Sequence, residues 1–277
     1  MRGKKVIGII GFGNMGRAIA HNLKEHYSLV IFDKKKSNFR YCNKRNKAKN
    51  LKDLFTRAET IILAVKPQDF GPLLKKARTS KEKLFISIAA GITTSYIEKR
   101  LSGARVVRAM PNMPARVAKG MTCLCKGKYA CAGDMRVARN IFIHLGRVQV
   151  LKENMMNAVT AVSGSGPGYF YDYLDSLSIT PGNISRSLVN NFRNAFRKAA
   201  QAAGFKKAQA CLLVNTTIRG SMAAAQAFDL TWAQLRQQVA SKGGTTEAAL
   251  EVLHRKGSLV EAVMAAKKRA GQLEKKR

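Results

Sequence analysis

Short, unbroken apolar runs alternate with helical stretches through the first part of the chain, a spacing that predicts a parallel sheet with crossover helices. The runs at 6–10, 29–32, 60–65, 84–88 and 105–108 are rich in Ile, Val, Leu and Phe without polar alternation, as strands buried on both faces should be. Further strands are predicted at 122–125 and 147–150, around a helix over 135–145, and a helix over 14–24 follows the first strand. Beyond Lys152 the strand-like runs stop. Alanine-rich helical periodicity takes over at 191–203, 207–226, 232–239, 247–255 and 259–273, and a turn-rich break at 178–187 contains Pro181-Gly182-Asn183. The implied class is α/β, with residues 1–152 forming the sheet domain and residues 153–277 an all-helical domain.

Composition narrows this only a little. The 277 residues suffice for two modest domains, and 46% hydrophobic content makes them globular. No apolar run approaches the roughly 18 residues of a spanning helix. The basic opening Met1-Arg2-Gly3-Lys4-Lys5 resembles a targeting leader, but glycines interrupt the apolar stretch after it, so a buried first strand is expected. Five cysteines without a regular framework fit reduced thiols in a cytoplasmic protein. Cys123, Cys125 and Cys131 are not spaced as C-x2-C and no second pair follows, so no metal site is expected. Charge is the unusual feature: 50 Lys and Arg against 16 Asp and Glu, a net +34. The basic residues are spread along the whole chain without a nucleic-acid-binding module, which implies general affinity for polyanions and no specific nucleic-acid partner.

The first candidate chemistry is Gly11-Phe12-Gly13-Asn14-Met15-Gly16, which follows the first strand directly and opens a helix. Asp33 ends the second strand roughly 20 residues on, completing the Rossmann-type dinucleotide fingerprint. Glycines permit the tight turn and close approach of backbone to pyrophosphate, and the helix N-terminus supplies free N–H groups. Asp33 suits an adenosine ribose and hence NADH. Lys34 opens a run of lysines and arginines that reaches Lys52 without an acid; Lys34 or Lys35 can neutralise the 2′-phosphate of NADPH, or the run is simply a solvated loop. NADPH and NADH both remain open.

Five more segments complete the pattern: Ala64-Val65-Lys66-Pro67-Gln68, Ser87-Ile88-Ala89-Ala90-Gly91-Ile92-Thr93, Arg108-Ala109-Met110-Pro111-Asn112-Met113-Pro114, Ser163-Gly164-Ser165-Gly166-Pro167 and Ser241-Lys242-Gly243-Gly244-Thr245-Thr246-Glu247. Their order and spacing over nearly the whole chain resemble the pyrroline-5-carboxylate reductase family. That resemblance implies hydride transfer from NADPH or NADH to the imine carbon of 1-pyrroline-5-carboxylate, giving L-proline, in a cytoplasmic homodimer. It places Lys66-Pro67 beside the nicotinamide ribose, Ala89-Ala90-Gly91 against the nicotinamide ring, and Asn50 near the cofactor. A helix cap is an equally good reading of Asn50. Thr246 matches the family's substrate-binding threonine. Thr245, Gly244 and Gly243 would hold the substrate carboxylate at a helix start, and Glu153 matches a glutamate near the substrate, or is a solvated interdomain acid. The second domain becomes the substrate-binding and dimerisation domain.

The chain departs from the family pattern in three places. Lys242 stands where the family has proline, Gly168 replaces the alanine after Gly166-Pro167, and residues 178–192 read as an insertion. The alternatives are another imine or β-hydroxyacid reductase of the same superfamily, and a non-catalytic, basic descendant that binds polyanions.

Overall fold

The computed structural model describes residues 4–77 and 82–275. A seven-stranded sheet runs in the order β2-β1-β3-β4-β5-β6-β7. Its strands are β1 Val6–Ile10, β2 Ser28–Phe32, β3 Thr60–Leu63, β4 Leu84–Ser87, β5 Arg105–Met110, β6 Gly120–Lys126 and β7 Gly146–Val150. The ladders from β2 through β1, β3 and β4 to β5 are all parallel. Crossovers carry α1 Asn14–Leu23, α2 Leu51–Arg57, α3 Phe70–Ala77 and α4 Thr94–Arg100, and α5 Ala132–Phe142 lies between β6 and β7. Ile10, Leu63, Phe85 and Val106 from the strands close on Leu54, Phe70, Leu74 and Ile97 from the helices in one buried cluster. Burial on both faces is why these strands read as unbroken apolar runs.

Packing divides the chain into two compact units. The first comprises residues up to Ala109 together with Leu124–Glu153; the second comprises Met110–Cys123 and residues from Asn154 on. The segment Met110–Cys123 belongs with the helices because Gly220 lets it approach closely: a Cβ there would lie 2.3 Å from Lys119 O. Asn112 fixes the same segment, donating to Ser163 O at 3.2 Å and accepting the Met121 N–H at 2.8 Å.

The second unit is otherwise helical: α6 Met156–Val159, α7 Gly166–Ser176, α8 Arg186–Ala202, α9 Lys207–Ala227, α10 Trp232–Val239, α11 Thr245–His254 and α12 Leu259–Lys275. α8 turns Val189, Phe192, Phe196 and Ala199 inward at helical spacing. Phe196 meets Tyr169 edge to face, with ring centroids 6.0 Å apart. Gly166 is forced by this packing, since a Cβ would reach 2.8 Å from the Phe196 ring.

Three local expectations change. The segment 163–167 is not a simple turn: Thr160–Gly164 forms a π-helical turn that runs into α7, with Pro167 in its first turn. Such π turns leave backbone groups displaced from the regular ladder. α8 starts five residues before the expected 191, at Arg186, because the Ser185 hydroxyl caps it by accepting the Leu188 N–H. α5 starts at Ala132 because Asp134 accepts the Cys131 N–H, and it ends at Phe142. Cys123 and Cys125 lie buried in β6. None of the described helices is long and apolar enough to cross a membrane.

Candidate active site

The sheet order reverses direction between β1 and β3, and open α/β sheets bind ligands in the crevice at such a point, outside the carboxyl ends of the strands. Gly11 leaves β1 with φ +99, its N–H donated to Phe32 O at 2.8 Å. A Cβ on Gly11 would lie 2.5 Å from Ala64 O, and one on Gly16 would lie 2.0 Å from Gly11 O, so neither position admits a side chain. Gly13 is different: it is exposed, and nothing lies within 4 Å of a Cβ built on it. Gly13 is the N-cap of α1 and no side chain caps that end. The amides of Asn14, Met15 and Gly16 are those that a first helical turn leaves without an internal acceptor, at the positive end of the helix dipole.

Phe12 is pinned by Asp33, whose Oδ2 accepts the Phe12 N–H at 2.6 Å while Oδ1 accepts the Lys35 N–H at 2.7 Å. The carboxylate thereby ties the end of β2 to the glycine turn. Lys34 extends to Asp69, with Nζ to Oδ1 at 2.5 Å, in an exposed ion pair. Asn50 caps α2, its Oδ1 accepting the Asp53 N–H at 2.9 Å. Ala64 donates to Ile10 O at 2.8 Å, Val65 is partly buried, Lys66 is exposed and Pro67 starts a single 3-10 turn. After β4, Ala89 is buried, Ala90 is partly exposed and Gly91 takes φ +69. These segments follow β1, β3 and β4, which are neighbours in the sheet.

Glu153 is engaged within the same unit. Its Oε1 accepts the Thr94 N–H at 2.7 Å and its Oε2 the Thr94 hydroxyl at 2.6 Å, so the carboxylate sits on the N-terminus of α4. Arg108 Nη1 stands 3.5 Å from Oε1, too far for a strong hydrogen bond, and the guanidinium, 1% exposed, makes none among the described residues. The Cys125 thiol nearby is pushed up to about 12 by burial and, secondarily, by the Glu153 charge. Thr94 and Arg108 were not singled out as site residues from the sequence. Thr94 follows the capping Thr93 and carries no motif of its own, and Arg108 stands inside one of the quoted segments.

In the second unit, α11 opens at Gly244 as N-cap. Gly244 donates to Ser241 O at 2.8 Å, and Gly243 donates to Glu247 Oε2 at 2.5 Å, so both glycine amides are committed to shaping the turn. The amides left over by the first turn of α11 are those of Thr245, Thr246 and Glu247. Thr245 exchanges a hydrogen bond with the Ser165 hydroxyl at 2.9 Å. Thr246 is 4% exposed; its hydroxyl makes no hydrogen bond among the described residues and is not one of the fully buried unpaired atoms, so it stays open to a ligand. Its Cγ2 occupies the place of the missing Gly168 side chain, where an added Cβ would come within 2.6 Å.

A family model described as pyrroline-5-carboxylate reductase dimerisation matches residues 185–273, and one described as NADP oxidoreductase, coenzyme F420-dependent, matches residues 6–91. The pyrroline-5-carboxylate reductase of Mycobacterium tuberculosis is 32% identical over 96% of this chain and 96% of its own. The solved pyrroline-5-carboxylate reductase of Coxiella burnetii is 29% identical, with a TM-score of 0.64, covering 98% of this chain and 99% of that one. The Plasmodium falciparum pyrroline carboxylate reductase, solved with NADP bound, is 27% identical with a TM-score of 0.60 over the same shares.

Proposed function

The chain belongs to the pyrroline-5-carboxylate reductase family, oxidoreductases acting on a C=N bond, and we propose that it reduces 1-pyrroline-5-carboxylate to L-proline. The observation that carries this reading is Thr246: a largely buried threonine whose hydroxyl is left free in the first turn of α11, where leftover amides and the helix dipole suit a small carboxylate. Thr245 is steadied by Ser165, while Gly243 and Gly244 give the turn its shape.

The nicotinamide cofactor, NADPH or NADH, supplies the hydride that the imine carbon receives. The residues of the first unit fit such a group. The open space at Gly13 and the uncapped start of α1 form a cradle for a pyrophosphate that any Cβ at Gly13 would obstruct. Phe12, Asn14, Met15 and Gly16 complete that turn. Asp33, held by the Phe12 and Lys35 amides, keeps lone pairs for ribose hydroxyls, and Lys34 stands beside them. Ala64, Val65, Lys66 and Pro67 would flank the nicotinamide ribose and Ala89, Ala90 and Gly91 would leave room for the ring, while Asn50 would act through the cap of α2. Glu153 serves by holding the start of α4 directly after Gly91. The imine protonates readily, so positioning and electrostatics carry most of the catalysis and no strong acid is required. We infer that the protein works in the cytoplasm as at least a homodimer, consistent with the family model matched by 185–273, and has no specific nucleic-acid partner.

The test is substrate choice. Purified protein should oxidise NADPH or NADH when 1-pyrroline-5-carboxylate is added, and at most marginally with other cyclic imines or in reverse with β-hydroxyacids. A clear preference for one of those, or no substrate-dependent rate, would refute the assignment.

A further inference from the structure

The turn before α11 has a defined type. Gly244 donates to Ser241 O at 2.8 Å, Gly243 holds φ +68, and Lys242 is not among the residues with positive φ. A four-residue turn with positive φ at its third position alone is a type II turn, and proline suits its second position because the ring presets φ near −65°. This gives a physical reason for the proline that the family pattern places there. Lys242 lacks that restraint, so the unfolded turn has more conformations to lose. Proline suits the second position of type I and type II turns alike, so it stiffens the turn without choosing between them. The two types differ in the orientation of the central peptide, here Lys242–Gly243.

That peptide is gripped from outside the turn. Its N–H, on Gly243, donates to Glu247 Oε2 at 2.5 Å. The following carbonyl, Gly243 O, accepts from Arg269 Nε at 2.8 Å, and Arg269 is steadied in turn by Gln272, with Nη1 to Oε1 at 3.3 Å. Both peptide planes at the left-handed residue are therefore fixed by side chains, one from the first turn of α11 and one from α12. A side chain at Gly244 would crowd the turn itself, since a Cβ would lie 2.7 Å from Ser241 O, so that position is a poor place to stiffen it.

We propose that Glu247 and Arg269 are positioning residues that restrain from outside a turn which a proline at position 242 would restrain from within. Glu247 holds the Lys242–Gly243 peptide in its type II orientation and Arg269 fixes the Gly243–Gly244 peptide, which together set the first turn of α11 and the Thr246 hydroxyl for the substrate carboxylate. The substrate part of this statement rests on the reading of α11 given above; the clamp itself does not.

The experiment crosses each clamp variant with the proline. Arg269→Met and Glu247→Ala should each raise KM for 1-pyrroline-5-carboxylate roughly tenfold, the usual effect of losing one hydrogen bond to a charged group, with KM for NADPH unchanged. In a Lys242→Pro background the same substitutions should raise it no more than about twofold. Glu247→Gln, which keeps an acceptor, should stay near wild type. Amide hydrogen exchange at Gly243, measured without substrate, should be slow in the wild type and fast in Glu247→Ala. Wild-type KM in both clamp variants, equal effects with and without the proline, or unchanged Gly243 exchange would each overturn the proposal. If the wild type shows no pyrroline-5-carboxylate-dependent rate, the functional reading fails while Gly243 exchange still decides the clamp.

Discussion

Two glycine turns open the two helices that matter for function, and they are held in different ways. The turn at Gly11–Gly16 is shaped chiefly by backbone against backbone, with Asp33 adding one side-chain bond to the Phe12 N–H: Gly16 packs on Gly11 O, and Gly11 packs on Ala64 O. The turn at Ser241–Gly244 is shaped by side chains that arrive from elsewhere, above all Arg269, 26 residues further along the chain. The first is a local device whose glycines are obligatory and whose purpose shows in their spacing. The second is a common turn that becomes a site only through its surroundings. Substitutions in the first should act through the covalent geometry of the turn, and those in the second through lost partners.

The largest effect should come from Gly13→Ala. No atom lies within 4 Å of the added methyl, so thermal unfolding should match the wild type. The methyl stands where backbone must approach pyrophosphate, so NADPH affinity should fall on the order of a hundredfold by titration. Unchanged affinity would break the contrast, because the open glycine of this turn would then have no ligand to make room for. Next comes Thr246→Ala, which removes a hydroxyl from the second turn and should lower kcat/KM by roughly tenfold to a hundredfold. Cofactor affinity should be unaffected, since the glycine turn belongs to the other unit, and Thr246→Ser should recover much of the loss. A folded Thr246→Ala enzyme with wild-type kcat/KM would reduce the residue to a helix-end structural element.

Gly168→Ala sharpens the same point. Its methyl would come within 2.6 Å of Thr246 Cγ2, so the threonine must turn or the helices must shift. KM for the imine should rise several-fold, with a loss of stability of about 1 kcal/mol visible in thermal unfolding. Retention of both values would show that the departure from the family's alanine has no consequence. The smallest effect belongs to Lys34→Ala combined with Lys35→Ala. Lys34 is exposed and already paired with Asp69, so KM for NADPH should rise only a few-fold and KM for NADH should hardly change. Equal losses with both cofactors would assign the lysines to structure.

Regular elements were legible in the sequence where their cause is local. β1 was bounded correctly because its apolar run stops at Gly11, and α10 because Thr231 and Gln234 form a capping box around its start. α3 and α4 escaped notice because they are short and broken by features such as Gly71-Pro72. Residue types at the site were legible too; which of them already have partners was not. Glu153 reads as a free acid until the fold places it on Thr94, 59 residues away, and Lys34 reads as a free cation until it meets Asp69, 35 residues away. Pairings over such separations depend on strand order, which no local pattern encodes. The same holds for Met110–Cys123, whose place in the second unit follows from the bare surface at Gly220.

The central claim is hydride transfer to the imine carbon of 1-pyrroline-5-carboxylate, and isotope transfer tests it most directly. Purified protein would be incubated with 1-pyrroline-5-carboxylate and NADPH deuterated at the transferring face of the nicotinamide, and the proline formed would be read by mass spectrometry and NMR. The expected product is L-proline carrying one deuterium at C5, with none formed when the substrate is omitted and label delivered roughly tenfold to a hundredfold more slowly by Thr246→Ala under limiting substrate. Unlabelled proline, label at another carbon, or cofactor oxidation without proline would contradict it.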